Sequence, residues 1–373
     1  MKLSDLPTPC ALVDLDRVER NCRRMKARIE QLGARLRPHV KTHKCPELAR
    51  LQCGGEVGPI TVSTLAEAEA FADAGFVDIT LAVPIAPSRL RRAAALDARI
   101  ERLHILLDDV ETCDAAAATA RGLGARYSVF LKVDCGYHRA GVDPRSPSAL
   151  ALAQRIVETQ ELELAGLLTH AGHSYDQRGA EAIALVAEQE RAAVVGFAAR
   201  LRAAGIEPGV VSAGSTPTAT RTRSLEGVDE MRPGNYVFFD LHQSGIGSCT
   251  EDDIALTVLT TVIGSYPERR SALIDAGALA MSKDPGPSHL ESHEGYGRVT
   301  AADGAASPRP LKLTGLSQEH GKLGFGAPAD APAAGALLRV LPNHSCLTAA
   351  LHPELFLIRG EDVVGSLRPT RGW

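Results

Sequence analysis

The stretch Arg37-Pro-His-Val-Lys-Thr-His-Lys44 gathers two lysines, two histidines and an arginine into eight residues, with no spacing that would spread them over one helix face. A lysine amine forms imines with carbonyl compounds, and like-charged neighbours such as His43 and Lys44 would favour the neutral, nucleophilic form of Lys41. The bland alternative is a lysine that lays its stem on the surface and keeps its ammonium in water. A second stretch, Pro342-Asn-His-Ser-Cys346, places His344 and Cys346 two apart. In extended chain, residues i and i+2 share a face. Imidazole with thiolate is a donor pair suited to Zn²⁺, and two protein ligands leave positions for water or substrate, as a catalytic metal needs. Two ordinary core residues at this spacing are the simpler alternative.

These side chains need a scaffold. Apolar, β-branched runs predict strands near 35–40, 59–62, 79–83, 103–107, 127–133, 164–169, 209–213 and 235–239. Helical periodicity falls between most of them. The first helix, 16–32, carries Val18, Cys22, Met25, Ile29 and Leu32 as one stripe and stops at Gly33. Another opens at Thr64 with Glu67 in capping-box spacing, and a third runs from 180 to 203. Eight strands with helical crossovers match a closed (β/α)8 TIM-type barrel over 16–245. An open doubly wound sheet competes, but no G-x-G-x-x-G turn follows the first strand. Beyond 250, β-branched runs separated by Gly, Pro and Asp predict a mostly antiparallel β-domain, made of 1–15 and 246–373. The Pro-, Gly- and Ser-rich segment 284–310 reads as a long loop within it.

In such a barrel the chemistry sits where the strands end, and the loops after strands seven and eight often hold a phosphate. Gly214-Ser215-Thr216 follows the seventh predicted strand, and Gly234-Asn235-Tyr236 opens the eighth. Glycine allows close backbone approach, and N–H and hydroxyl donors suit a phosphate dianion; taken singly, each is an ordinary turn. Lys41 ends the first strand on the same face. A lysine facing a phosphate cradle points to a Schiff base with pyridoxal 5'-phosphate. Asp134, His138 and Arg139 follow strand five, and His170, His173 and Tyr175 follow strand six. Glu319 and His320 fall in the β-domain.

Composition narrows the field. The 373 residues carry a formal charge of −4 and 45% apolar side chains, a soluble globular balance with no basic tract for nucleic acid. No apolar run approaches a membrane span, and Asp5 and Pro7 interrupt the place of a signal-peptide core. The eight cysteines include no C-x-x-C, which fits reduced thiols in a cytoplasm.

Together the stretches "TPCALVDLD", "RPHVKTHK", "STLAEAEAFADAGF", "LKVDCGYHRAGV", "GSTPT", "RPGNYVFFDLHQ", "SQEHG", "PNHSCLTAALHPE" and "RGW" resemble the eukaryotic-type, zinc-dependent D-serine dehydratases. These belong with the D-threonine aldolases among pyridoxal-phosphate enzymes of the alanine racemase fold, fold type III. The likeness runs from residue 7 to residue 373. It implies that Lys41 is the Schiff-base lysine and that Tyr175 packs beside ring and substrate. The cofactor-binding set it implies is Lys41, His39, Arg139, His170, Tyr175, Gly214, Ser215, Thr216, Gly234, Asn235 and Tyr236. His344 and Cys346 would hold a catalytic Zn²⁺, or another divalent ion such as Mn²⁺. The resemblance also implies a homodimer with its active site at the subunit interface. The expected activity is α,β-elimination of D-serine to pyruvate and ammonia. The alternatives are 3-hydroxy-D-aspartate dehydration, D-threonine-type aldol cleavage to glycine and an aldehyde, and a non-catalytic pyridoxal-phosphate carrier. A complete β-domain argues against the carrier, and Cys346, where D-threonine aldolases carry Asp, favours a dehydratase. The stretch 279–289 departs from the animal enzymes, introducing Lys283, Asp284 and His289, which bears on the choice of substrate.

Overall fold

The chain opens with β1 (Cys10–Asp14), whose first four residues are buried, and α1 (Leu15–Gln31). Val18, Cys22, Met25 and Ile29 of α1, spaced four, three and four apart, are all buried. The computed structural model describes residues 1–290, 295–307 and 309–373. Contacts divide it into two units: Cys22–Gly234 with Thr370–Trp373, and Met1–Asn21 with Asn235–Pro369.

The first unit is the barrel. Its strands are β2 (Arg35–Leu36), β3 (Ile60–Val62), β4 (Asp78–Pro84), β5 (Arg102–Leu107), β6 (Tyr127–Lys132), β7 (Leu162–Leu168), β8 (Val210–Ala213) and β9 (Glu230–Met231). The connecting helices are α2 (Pro46–Gln52), α3 (Leu65–Asp73), α4 (Leu90–Asp97), α5 (Val110–Leu123), α6 (Pro147–Glu158), α7 (Ala180–Ala203) and α8 (Thr216–Arg221). All pairings are parallel, in the order β2-β9-β8-β7-β6-β5-β4-β3. A parallel bridge between His39, just past β2, and Thr61 of β3 joins the two ends, so the sheet closes on itself. At the start of α3, Thr64 accepts the Glu67 N–H, while the Glu67 carboxylate takes that of Ser63.

The eighth strand is not where apolar patterning placed it. Residues 235–239 begin with a 3-10 turn, Asn235–Val237, and β9 lies at Glu230–Met231. The cause is burial on every side: Tyr236, Val237, Phe238 and Phe239 are all inside, and an apolar run alone does not separate a strand from any other buried segment.

The second unit is built on β1, β10 (Leu256–Tyr266), β11 (Ser271–Ile274), β12 (Gly297–Ala301), β13 (Lys312–Leu316), β14 (Gly321–Gly324), β15 (Leu337–Pro342), β16 (Leu355–Arg359) and β17 (Asp362–Leu367). Among the described residues they form one sheet, ordered β11-β14-β13-β12-β15-β10-β1-β16-β17. Only β1 with β16 runs parallel. Val258, Ile274, Leu313, Leu323 and Val340 pack in its main core. Short helices α9 (Leu241–Gly245), α10 (Ala278–Met281) and α11 (Ser345–Leu351) lie in its connections. The expected loop 284–310 contains β12, which pairs with β15 over five residues and buries Val299 and Thr300. Residues 291–294 and 308 lie outside the described part. No helix among the described residues is long and apolar enough to cross a membrane.

One polar group inside the barrel has large consequences for stability. Arg37, 2% exposed, donates from Nε to Glu230 (2.8 Å) and from both terminal nitrogens to Asp78 (2.7 and 3.1 Å). Burial alone would raise the Glu230 carboxyl, but the Arg37 charge and bonds from Arg37 and Ser212 hold it below its ordinary value. Arg37→Met should therefore cost about 3 kcal/mol or more in urea unfolding at neutral pH, because it strands a buried carboxylate. Native depression means that this contribution exists above the ordinary carboxylate pKa and fades as pH falls through the lower native value. The gap between variant and wild type should accordingly narrow in acid.

Candidate active site

In the barrel unit the site residues stand where the strands end. Lys41 lies on a 3-10 turn, Val40–Thr42, beyond β2, and is exposed. His39 caps that turn, its Nδ1 accepting the Lys41 N–H, and its Nε2 lies 3.4 Å from Ser63 Oγ beyond β3. Burial, then the Lys41 and Arg232 charges, hold His39 well below the ordinary imidazole value. Burial and Lys41 do the same to His170, beyond β7. Both imidazoles are thus neutral, and both sense the Lys41 charge.

The Gly214 loop is held from two sides. Its carbonyl accepts His170 Nδ1–H (3.1 Å), and its N–H goes to Glu190 (3.1 Å). Gly214 has φ +116°, and a Cβ there would fall 2.9 Å from Met231 Cε and 3.1 Å from Arg232 N. Ser215 caps α8: its Oγ accepts the Thr218 N–H (3.2 Å), and its own N–H goes to Thr218 Oγ1 (2.9 Å). The Gly214 and Ser215 N–H groups are therefore engaged within the protein, and Thr216 is the first residue of the helix. Gly234 packs close, since a Cβ there would meet His39 O at 2.7 Å.

Tyr175 is half-buried on the turn Gly172–Asp176 after β7. Arg139 sits over the Tyr137 ring, 5.1 Å from its centre. Tyr137 in turn stacks on His173 at 6.1 Å and meets His170 edge-on at 6.5 Å. Gly172 makes room for it: a Cβ there would lie 2.2 Å from the Tyr137 ring. His138 faces solvent, paired with Asp134 at 2.7 Å. Two residues of this region escaped the sequence reading. Tyr137 is one. Lys132 is the other: it ends the fully buried β6, and burial, then Arg232, push its amine down to about 8. A lysine closing the otherwise largely apolar run Tyr-Ser-Val-Phe-Leu was the available signal.

The β unit holds the second constellation. His344 is extended and precedes α11, so Cys346 sits in the helix's first turn rather than in an extended run. The two side chains are nevertheless hydrogen-bonded. His344 Nδ1 pairs with Asp284 Oδ2 at 2.9 Å, and Asp284 is fixed by the Gly286 N–H at 2.7 Å. Burial lowers the imidazole, but bonds to Asp284 and Cys346 overcome it and raise it to about 11. Asn235 and Tyr236 fall in this unit, not with Gly234. The Asn235 amide donates to Asp240 (2.7 Å), Ser345 Oγ (2.9 Å) and Cys346 Sγ (3.6 Å). Glu319 and His320 lie on the exposed turn between β13 and β14.

The donor set fits a soft-to-borderline dication. Asp284 holds Nδ1, which leaves Nε2 as the ligating atom, beside a thiol. Among the described residues no group of three or more His, Cys, Asp or Glu side chains is arranged to hold a metal. The barrel residues fit an aldehyde cofactor: an accessible amine beside two neutral imidazoles, with the cations Arg139 and Arg232 acting on the same imidazoles.

Comparison with known proteins defines the class. Residues 13–242 match the family "Alanine racemase, N-terminal domain", and residues 255–358 match "Putative serine dehydratase domain". A D-threo-3-hydroxyaspartate dehydratase of Delftia sp. is 43% identical, covering 100% of this chain and 99% of its own. Its solved structure superposes with a TM-score of 0.94 over 100% of both chains, and a cysteine-to-alanine variant of a D-threo-3-hydroxyaspartate dehydratase was solved in a metal-free form. A D-serine dehydratase of Dictyostelium discoideum is 36% identical over 100% of this chain and 98% of its own. A D-threonine aldolase of Arthrobacter sp. is 29% identical over 96% of this chain and 90% of its own. The chain belongs to the D-serine dehydratase and D-threonine aldolase family of alanine racemase-fold enzymes, and it is a lyase.

Gly214→Ala should lower stability in urea unfolding by about 1–3 kcal/mol, since an alanine must adopt a positive φ against Met231. A variant as stable as wild type would mean that the turn yields without strain.

Proposed function

We propose that this enzyme is a pyridoxal-phosphate- and metal-dependent dehydratase of D-3-hydroxy amino acids, with D-serine as substrate and pyruvate and ammonia as products. The observation that carries the reading is the pairing of two chemistries in one chain: Lys41 among neutral imidazoles, and His344 with Cys346 locked by Asp284. Elimination of water needs a base for the α-proton and an acid for the β-oxygen. Pyridoxal phosphate, when bound, supplies the electron sink that makes the α-proton removable. Zn²⁺ or Mn²⁺, when bound, supplies Lewis acidity toward a hydroxyl that leaves poorly.

The chain's own residues do the rest. Lys41 holds the cofactor and then takes the α-proton on its Nζ. Neutral His39 and His170 keep additional positive charge away from that amine. Tyr175, with Gly214, Ser215, Thr216, Gly234 and Arg139, makes up the rest of the barrel's binding set. His344 and Cys346 hold the ion. One α-proton and one β-hydroxyl leave together as water, and the resulting enamine hydrolyses to the oxo acid and ammonia. An amine on one face of the substrate reaches the α-proton of one enantiomer only, here D.

The same chemistry on 3-hydroxy-D-aspartate is a second reading, supported by the 43% relative. A second carboxylate wants cations, and the β unit offers Lys283 beside Asp284 in sequence, and His242 with its ring 6.0 Å from that of His289. Exposed Leu279, Leu347 and Leu351 on α10 and α11 support a homodimer that covers this face. The free cysteines support a cytoplasmic setting.

Product analysis on D-serine, D-threo-3-hydroxyaspartate and D-threonine tests the proposal. Pyruvate or oxaloacetate is expected, D-alanine should not undergo elimination, and L-serine should be inert. Glycine as the main product would make the enzyme an aldolase, and equal turnover of L- and D-serine would reject the one-faced geometry. Lys41→Ala should lose both turnover and the visible absorbance of bound cofactor.

Cys346→Ala, or chelation, should abolish dehydration while that absorbance persists. Asp284→Ala should weaken metal binding by about 10–100-fold in calorimetric titration, because the imidazole loses its orienting partner. Full activity without metal would return His344 and Cys346 to the core.

A further inference from the structure

Glu190 lies in α7 and is 1% exposed. A carboxylate this deep must be answered by donors or cations. Its Oε1 accepts two backbone N–H groups, from Ala171 at 2.7 Å and from Gly214 at 3.1 Å. Ala171 follows His170 beyond β7, and Gly214 follows β8. The Gly214 carbonyl then accepts His170 Nδ1 at 3.1 Å. Glu190, Ala171, His170 and Gly214 thus form a closed ring of hydrogen bonds that ties two strand ends together. The ring also fixes a proton. A carbonyl has none to give, so Nδ1 must carry it, and in the neutral imidazole Nε2 is then the acceptor. The positive charges of Lys132 and Arg232 act on the same carboxylate.

We propose that Glu190 is a positioning residue of the active site: it sets the Gly214 loop and, through the Gly214 carbonyl, the plane and tautomer of His170. The inference rests on the reading that this loop and His170 face the pyridoxal phosphate. It predicts which feature of Glu190 matters. Both N–H groups go to one oxygen, and a glutamine keeps that oxygen while removing the charge.

The experiment titrates pyridoxal phosphate into wild type, E190Q and E190L, reading the dissociation constant and the visible spectrum. Refolded structure is checked by circular dichroism. E190Q should bind within about twofold of wild type with the same absorbance maximum, because both acceptor contacts survive. E190L should bind about tenfold or more weakly and with a shifted maximum, because two buried N–H groups lose their acceptor. A folded E190L with wild-type affinity and spectrum overturns the proposal. So does a folded E190Q that binds as poorly as E190L, since charge rather than geometry would then be at work. If E190L does not fold, ¹⁵N NMR of wild-type histidines, assigned with a His170→Asn variant, decides: protonated Nδ1 is expected at His170, and protonated Nε2 overturns the proposal. A wild type that takes up no pyridoxal phosphate sinks the functional reading, whereas equal uptake by wild type and E190L sinks this inference alone.

Discussion

A chain of buried polar contacts crosses the inside of the barrel, and the placement of its chemistry follows from it. Arg37, just beyond β2, bonds Glu230 in β9. The other oxygen of Glu230 accepts the Ser212 hydroxyl in β8 at 2.6 Å. Ser212 accepts in turn from Arg232, whose second nitrogen reaches the carbonyl of Thr169 beyond β7. One arginine, one glutamate, one serine and a second arginine therefore tie four neighbouring strands. A buried charge costs several kcal/mol unless its bonds are made with good geometry, so these strand ends have little freedom to slide. The last link delivers Arg232, 4% exposed, to the region of His39 and Lys132, where its charge depresses both. Stability and reactivity meet in the same groups.

The β unit solves a different problem with the same means. Asp240 takes the Ser345 N–H and hydroxyl and the Asn235 amide, and thereby sets the first turn of α11. That turn presents Cys346, while Asp284, held by its own turn, orients His344. The pair is built by a helix start and a loop, not by a strand.

That contrast explains what the sequence disclosed. The barrel was readable from strand count alone, and Lys41 drew attention as one of a cluster of cations that the structure places just beyond β2. H-x-C stood out by residue type alone, while its backbone departs from the expected extended run: His344 precedes α11 and Cys346 lies in its first turn. The 235–239 segment misled because total burial erases periodicity, and β12 was hidden because it is five residues long among Gly, Ser and Pro. Glu190 left no trace, since a glutamate in the middle of an Ala-rich helix looks like any solvated position. Its role lies in contacts to residues 19 and 24 positions away, which only folding brings together.

The two constellations also carry opposite electrostatic demands. Around Lys41 the barrel contributes Lys132, Arg139 and Arg232, and its two imidazoles are driven neutral. Positive charge is in excess there, and a phosphate with an amino-acid carboxylate would satisfy it. Around His344 the β unit contributes Asp284, Asp240 and a thiol, which together force an imidazole to hold a proton it would ordinarily release. Negative charge is in excess there, and a dication would relieve it. A D-3-hydroxy amino acid presents a carboxylate and an amine at one carbon and a poor leaving group at the next. An electron-poor environment suits the carboxylate and the α-carbon, a Lewis-acidic one suits the leaving hydroxyl, and the chain's two units carry the residue types for one each.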